Sequence, residues 1–303
     1  MLLCIVEHVF NVIYLCYILK MKHLSLLFLI FLLSACANYG QLTVITKLPN
    51  RLKESSGMAY YQDDKVWTIE DHGNKDVIYQ VDFKGNIRSE FKVKNAKNED
   101  WEDLTTDKKG NLYVADIGNN DNDRKDLVIY KLPNPETELG DKINAIKIEF
   151  SYPEQAKFPP KKAELVFDAE AIFHRENHLF IITKNRATPF NGKTLIYKIP
   201  DTEGNHAAQL IGQFVPCKNE AICQITSAAV SPSGKKVVLL SYGFLWIYSD
   251  FSGDKFFEGT LKKIDLGART QLEAVCFKDE NTLLLSDEER AQTGQNLYSF
   301  QLE

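Results

Sequence analysis

Short apolar runs separated by polar turns recur along the chain in a fixed order. Five segments each begin with a short run rich in small residues, pass through a polar turn into a strongly apolar run, and end in a run that carries an aromatic residue. The segments are 55–82, 101–133, 168–200, 225–249 and 271–303. Short apolar runs bounded by turn residues are typical of β-strands. The pattern therefore predicts five repeats of a three-stranded antiparallel unit.

A fourth, more polar run follows each of the first four segments, at 87–93, 145–150, 208–214 and 256–264. The fifth segment lacks such a run, and a spare one, 42–46, precedes the first segment. Pairing of that spare run with the fifth unit closes the ring and covers the open strand edges, as a β-propeller requires. We predict an all-β fold, a five-bladed β-propeller over residues 42–303 that is closed by an N-terminal strand.

The spacing of the units leaves one alternative open. The unit starts are Gly57, Glu102, Glu170, Ser227 and Glu273. Blades usually take about 40–50 residues, and the second interval is longer because it contains an insertion at 134–165. A sixth blade results if that insertion hides a degenerate repeat.

The N-terminal part has a different composition. Residues 21–35 begin with a short basic stretch, continue in an apolar run too short to span a bilayer comfortably, and lead into the sequence LSAC at Cys36. This order resembles the lipobox of bacterial lipoproteins, in which the cysteine is lipidated and becomes the mature N-terminus. We therefore predict a signal peptide over 21–35, a lipid on Cys36 and a short tether over 36–41. The alternative is a plain transmembrane anchor that contains a chance cysteine.

Residues 1–20 carry a second apolar run, which is unusual ahead of a signal peptide. The simplest interpretation is that translation starts at Met21, and the alternative is an upstream membrane helix. With the lipid anchor, these features predict a bacterial cell-envelope protein held to a membrane, with its propeller on the periplasmic or the surface face.

Cys217 and Cys223 flank a short loop, and the oxidising conditions of an exported protein allow a disulfide there without requiring one.

Composition and motifs exclude several classes of function. The net charge is −5 and the basic residues are scattered, so the sequence offers no basic stripe for nucleic acid. It contains no G-x-S-x-G elbow and no phosphate-binding glycine loop. His174 and His178 have no zinc-ligand spacing, and their place near a hairpin turn predicts that both lie on the surface.

Acidic residues mark one mouth of the predicted ring, where innermost strands begin. Glu102, Glu170 and Glu273 lie at three of the five strand starts. Like charges about 4 Å apart cost ~4 kcal/mol at an effective dielectric of about 20, so these carboxylates need separation, protonation, a basic partner or a cation. A site whose ligands are carboxylate oxygens, with water within reach, suits Ca²⁺. The alternative is that these glutamates hydrogen-bond backbone amides of neighbouring blades.

Loops after the second strands reach the same mouth and bring more polar side chains. Besides the stretch 70–72, which contains Asp71, the residues predicted to bind a ligand there are Asp116, Asn119, Lys184, Arg186, Asp287 and Arg290. The loop 116–126 is rich in Asp and Asn but does not match the EF-hand spacing. We therefore expect it to be a solvated turn.

The stretches 102–116, 170–172 and 273–288 resemble the bacterial SdiA-regulated family. The resemblance implies a five-bladed propeller distantly related to NHL-repeat proteins, with a calcium ion in a shared site. Glu102, Glu170 and Glu273 occupy the matching positions. The stretch 101–119 also looks like the esterase-like-phytase group, which keeps a hydrolase open.

Three functions are compatible with these features. The first is a calcium-binding envelope lipoprotein that binds an unknown small molecule or protein at its acidic mouth. The second is a calcium-dependent hydrolase, phosphoesterase-like or lactonase-like, in which Lys184, Arg186 and Arg290 hold an anionic substrate. The third is a structural scaffold for interactions.

Overall fold

The computed structural model describes residues 39–290 and 293–302, which form a five-bladed β-propeller. The predicted signal peptide, residues 21–35, and the predicted lipidation site at Cys36 lie outside the described residues. Within the part that is described, no helix is long and apolar enough to cross a membrane.

The strands are short and are numbered in chain order. They are β1 (Thr43–Lys47), β2 (Ser55–Ala59), β3 (Lys65–Glu70), β4 (Val77–Asp82), β5 (Ile87–Lys94), β6 (Trp101–Thr106), β7 (Leu112–Asp116), β8 (Val128–Leu132), β9 (Lys142–Asn144), β10 (Ile146–Ser151), β11 (Asp168–Arg175), β12 (His178–Lys184), β13 (Thr194–Pro200), β14 (Gly204–Ala207), β15 (Gln209–Phe214), β16 (Ile225–Val230), β17 (Val237–Ser241), β18 (Phe244–Ser249), β19 (Thr260–Asp265), β20 (Leu272–Phe277), β21 (Thr282–Asp287) and β22 (Asn296–Gln301). One short helix, α1 (Glu220–Cys223), and two 3-10 turns, Lys162–Glu164 and Phe256–Glu258, complete the described elements.

Each blade is an antiparallel sheet whose innermost strand comes first in the chain. From the centre outward the blades are β2-β3-β4-β5, β6-β7-β8-β10, β11-β12-β13-β15, β16-β17-β18-β19 and β20-β21-β22-β1. β1 pairs antiparallel with β22, with Thr43 opposite Ser299 and Lys47 opposite Asn296. The predicted ring of five blades closed by an N-terminal strand is therefore confirmed.

The long insertion does not form a sixth blade. It contains β9 and β10, and β10 is the fourth strand of the second blade. β9 instead adds in parallel to β5 of the first blade, with Lys92 opposite Lys142. β14 from the third blade adds in the same way to β10, with Ile148 opposite Gly204. Each added strand covers the outer edge of the preceding blade, so neighbouring blades are joined through their backbones.

The apolar faces of adjacent blades form the core. Between the first two blades, for example, Trp67 stacks on Phe91 with ring centroids 5.7 Å apart, and Trp101 and Tyr130 pack at 6.2 Å. At the centre, the fully buried Asp103 carboxylate accepts hydrogen bonds from the neighbouring inner strands. Its donors include the backbone N–H groups of Ile172 (2.9 Å) and Ala228 (3.3 Å) and the hydroxyl of Ser227 (3.0 Å).

The connection between the third and fourth blades contains a disulfide-bonded loop. Cys217 and Cys223 are joined across α1 with their Cα atoms 5.6 Å apart, a separation that a disulfide spans. Asn219 accepts a hydrogen bond from the backbone N–H of Ala221 and caps the helix. Cys276 is a buried free thiol on the innermost strand of the fifth blade.

Candidate metal centre

A β-bulge interrupts each of the five innermost strands at the same place. The residues inside the bulges are Gly57, Glu102, Glu170, Thr226 and Glu273. The fourth position is thus Thr226 rather than Ser227, which the sequence repeat had aligned there. A bulged residue is left out of the ladder and its side chain is turned to a new direction. This device places three glutamates, which influence one another electrostatically, at the mouth where inner strands begin.

Glu170 has two cationic partners. Its carboxylate accepts from Lys184 Nζ at 2.5 Å and from Arg186 Nη2 at 2.8 Å, and Arg186 Nε also donates to Asp168 at 2.6 Å. Lys184 is 4% exposed. Burial alone lowers the pKa of Lys184, but Glu170 and Glu273 raise it well above its usual range. Lys184 is therefore a buried ammonium whose charge neutralises part of the mouth.

Glu273 has a neutral partner. The Tyr242 hydroxyl donates to Glu273 Oε1 at 2.9 Å, and Lys184 Nζ lies 3.3 Å from the same hydroxyl. Burial raises the pKa of Glu273, whereas Lys184 and Tyr242 lower it. Lys184 thus connects two of the three bulge glutamates, Glu170 directly and Glu273 through Tyr242.

Glu102 is different because its carboxylate has no hydrogen bond or ion pair with any residue in 39–290 and 293–302. The residue is nevertheless 5% exposed. One carboxylate oxygen from each of Asp71, Asp100 and Glu102 lies within 4.8 Å of the others. Burial raises the pKa of Glu102 well above its usual range, and the charges of Glu170, Asp71 and Asp100 raise it further. Burial, with repulsion from Asp71, likewise raises the pKa of Asp100 to about 7.

Gly118 leaves the space that these carboxylates occupy. A Cβ atom on Gly118 would lie 2.2 Å from Glu102 Oε1 and 2.3 Å from Asp100 Oδ2. Any side chain at this position would therefore displace both groups. The glycine comes two residues after β7, in the loop that the second blade contributes to the mouth.

Asp116 holds that loop in place. Its carboxylate accepts from the backbone N–H of Asp100 at 3.1 Å, and Arg124 Nη2 lies 2.9 Å away from it. The backbone carbonyl of Asp100 in turn accepts from the N–H groups of Ile117 and Gly118, each at 3.2 Å. Asp116 thus positions Asp100 and Gly118.

The other residues predicted to bind a ligand have diverse environments. Asn119 donates its backbone N–H to Asp168 at 2.7 Å and accepts from the backbone of Arg124 at 3.0 Å. Asp287 is fully buried and accepts from Asn296 N and the Tyr298 hydroxyl, each at 2.7 Å. Arg290 is exposed and forms a backbone bridge with Thr293.

Two expectations about exposure are wrong. The loop 116–126 is not a solvated turn, because Asp116, Asn119 and Asn122 are buried and hydrogen-bonded within it. His174 is not a surface residue, because it stacks on Tyr113 and hydrogen-bonds Asp201. In both cases polar residues are buried because a neighbouring element supplies their partners.

The chemistry of the Asp71–Asp100–Glu102 group fits a hard divalent cation. Ca²⁺ takes oxygen ligands at about 2.3–2.6 Å with loose geometry and completes its shell with water. A buried carboxylate without a partner is costly unless a cation or a proton neutralises it.

The sequence pattern did not identify Asp100 and Gly118 as residues of this site. The available signal was the pairing of Asp100 with Glu102 in the stretch Asp-Trp-Glu-Asp, directly before the second repeat unit.

Comparisons with known proteins show the fold. Neither a family model nor a curated protein matches the chain, so the resemblance to the SdiA-regulated family stays a prediction. The PQQ-bound aldose sugar dehydrogenase from Streptomyces coelicolor is 10% identical over 87% of this chain and 98% of that one, with a TM-score of 0.50. A propeller domain of Cps50 (Swd1) from Myceliophteria thermophila is 10% identical over 86% and 100%, with a TM-score of 0.42. At 10% identity, the similarity to the sugar dehydrogenase supports the fold and nothing of activity.

Proposed function

We propose that the acidic mouth binds Ca²⁺ through Asp71, Asp100 and Glu102, and that the bound ion forms part of a binding site for a small molecule or protein partner. In this proposal the chain is a lipid-anchored protein of the bacterial cell envelope. The observation that carries the proposal is the buried Glu102 carboxylate, which has no partner among the described residues and shares its space with two further carboxylates.

The proposed ligand set differs from the three bulge glutamates. Glu170 is already paired with Lys184 and Arg186, and Glu273 accepts from Tyr242. These two glutamates therefore contribute negative potential, and Glu102 contributes a ligand. A cation bound at Glu102 would offset the repulsion that raises the pKa of the group.

A hydrolase is less well supported. Phosphoester chemistry needs cations that are free to hold the substrate anion. Of the three cations predicted to hold it, Lys184 and Arg186 are instead paired with Glu170 and Asp168, and only the exposed Arg290 has no carboxylate partner among the described residues. We therefore assign ligand binding, and not turnover, to this mouth.

A thermal melt of the full chain in detergent tests calcium binding. Ligand present at a hundred times its Kd stabilises a folded protein by about 2.7 kcal/mol, so we expect Ca²⁺ to raise the Tm relative to EDTA. In Glu102→Gln this rise should vanish, and Asp254→Asn, whose carboxylate pairs with Lys198 on the outer face, should keep it. An equal rise in the wild type and in Glu102→Gln would refute the proposed site.

The membrane anchor rests on the sequence around Cys36 and has its own test. Expression in a bacterial host with an alkyne-modified fatty acid should label the full chain. Cys36→Ala should lose the label, whereas Cys276→Ala should retain it because that thiol is buried. Undiminished labelling of Cys36→Ala would overturn the anchor and leave the calcium proposal unaffected.

A further inference from the structure

The opposite mouth of the channel holds a cavity of about 800 Å³. It lies where the innermost strands end, away from the bulges. Its walls are part apolar and part polar, and the apolar part includes Met58, Leu104, Ala228, Val275 and Phe277 from the inner strands. Concave sites with apolar walls and a few fixed polar groups are the usual form of a small-molecule site.

His174 supplies one fixed polar group. It lies on β11, lines the cavity and is 9% exposed. Its Nε2 is 2.9 Å from Asp201 Oδ2, and its ring stacks on Tyr113 with centroids 5.3 Å apart. The Tyr113 hydroxyl donates to Asp201 at 3.0 Å, so both neighbours fix the imidazole.

The partner of Nε2 determines which hydrogen bond His174 can offer. Burial raises the pKa of Asp201, but hydrogen bonds from His174 and Tyr113 outweigh it and hold that pKa below its usual range. Asp201 is therefore an acceptor, and Nε2 carries the proton. When the ring is neutral, Nδ1 presents a lone pair, and none of the described residues donates a hydrogen bond to it.

Two lysines give the rim a positive charge. Lys108 and Lys109 lie in the turn after β6, line the cavity and are exposed. Neither has a carboxylate partner within the described ranges. Arg175, on the same rim, is by contrast held by Glu176 at 2.8 Å and by the carbonyl of Gly253 at 2.8 Å.

A metal ion explains these residues less well. Asp107, His174 and Asp201 each offer an atom within 4.8 Å of the others. The Asp107 carboxylate, however, already accepts from the backbone N–H groups of Lys109 and Asn111 and from the Asn111 side-chain amide. Hydrogen bonds within the group thus satisfy the carboxylates. The ring position that has no partner among the described residues is His174 Nδ1.

We infer that this cavity binds a small molecule with an apolar body, which donates a hydrogen bond to His174 Nδ1 and presents an anionic group to Lys108 and Lys109. Asp201 is a positioning residue that fixes the tautomer of His174. The inference is independent of the calcium proposal, because the two sites lie at opposite mouths of the channel.

A pair of probes tests the His174 contact without changing the protein. 6-Hydroxy-2-naphthoate has an apolar body, a hydroxyl donor and a carboxylate, and 6-methoxy-2-naphthoate lacks the donor. Calorimetric titration of the full chain in maltoside micelles, with EDTA and an empty-micelle blank, should show saturable binding of the hydroxyl probe. The methoxy probe should bind roughly tenfold more weakly, the loss typical of one missing hydrogen bond to a buried acceptor.

Variants locate the binding. His174→Phe keeps the ring stacked on Tyr113 and should bring both probes to the same weak affinity. The double variant Lys108→Glu/Lys109→Glu should weaken both probes at least fivefold or so. Its control, Lys92→Glu/Lys94→Glu on the exposed side of β5, should change the affinity of neither probe.

Three results would each overturn the inference: absence of saturable binding, equal affinity of the two probes for the wild type, or equal losses in the two double variants. If His174→Phe fails to fold, the probe pair and the lysine variants still decide.

Discussion

Two groups of carboxylates share one mouth of the propeller and differ in what neutralises them. Asp168 and Glu170 are paired with Arg186 and Lys184. No lysine or arginine among the described residues forms an ion pair with Asp71, Asp100 or Glu102, and the exposed His72 Nδ1 lies 3.5 Å from Asp100. Equivalent bulges on adjacent blades thus present Glu170 as part of an internal salt bridge and Glu102 as a carboxylate without a partner among the described residues.

The comparison shows that repeat position alone does not determine the role of a carboxylate. The bulge aims each glutamate at the mouth, but the loop after the second strand of the same blade supplies its surroundings. In the third blade the last residue of that strand is Lys184 and the loop contains Arg186, whereas in the second blade the loop contains Gly118. Basic side chains fill one position, and the carboxylates of Asp100 and Glu102 occupy the other.

The largest effect on stability is expected at the salt-bridged carboxylates, Asp168 and Glu170. Lys184→Met removes the buried ammonium and leaves Glu170 with Arg186 alone, so we expect a loss of about 3 kcal/mol in the free energy of unfolding. Calcium should not restore it. Lys198→Met, which breaks the peripheral pair with Asp254, should cost less than about 1 kcal/mol. Urea denaturation of both variants with EDTA and with Ca²⁺ measures this, and equal losses would contradict the buried-pair account.

The next largest effect is expected at the carboxylates without a cationic partner, Asp100 and Glu102. Gly118→Ala inserts a methyl group against Glu102 and Asp100, so we expect it to abolish stabilisation by Ca²⁺ and to cost about 1–3 kcal/mol in EDTA through overpacking. Asn120→Ala, at an exposed position in the same loop, should leave both quantities unchanged. Retention of the full calcium effect in Gly118→Ala would show that the ion binds elsewhere.

The pH dependence of stability should separate proton binding from calcium binding. Burial raises the pKa of Asp100 to about 7 from an ordinary value of 3.8, so the folded state holds more protons than the unfolded state between these two values. Stability in EDTA should therefore fall as the pH rises from about 4 to 7. Saturating Ca²⁺ should reduce that fall, because the cation replaces the proton. Asp100→Asn should flatten the EDTA profile, and an unchanged slope in this variant would assign the effect to other groups.

The smallest effect is expected at the third bulge glutamate. Glu273→Gln can keep its contact with Tyr242 and removes one negative charge near the site, so calcium affinity should fall by no more than about threefold. Loss of binding as complete as in Glu102→Gln would restore Glu273 as a direct ligand.

The five blades and the closing strand could be predicted because each strand carries its own pattern of apolar residues and turns. The three glutamates at the mouth could be predicted because the repeat fixes their position. Their partners could not, since pairing of Glu170 with Lys184 depends on which side chains two neighbouring strands bring together. Asp100 was missed because it precedes the repeat unit and reaches Glu102 through the loop that Asp116 holds. The burial of His174 could not be predicted either. This residue is next to a hairpin turn in sequence, but its partner Asp201 comes directly after β13.

Equilibrium dialysis against ⁴⁵Ca²⁺ of the wild type, Glu102→Gln and Glu170→Gln tests the central claim most directly. The account predicts one bound ion per chain in the wild type and in Glu170→Gln, and none in Glu102→Gln at the same free calcium concentration. Binding that survives in Glu102→Gln and disappears in Glu170→Gln would contradict it.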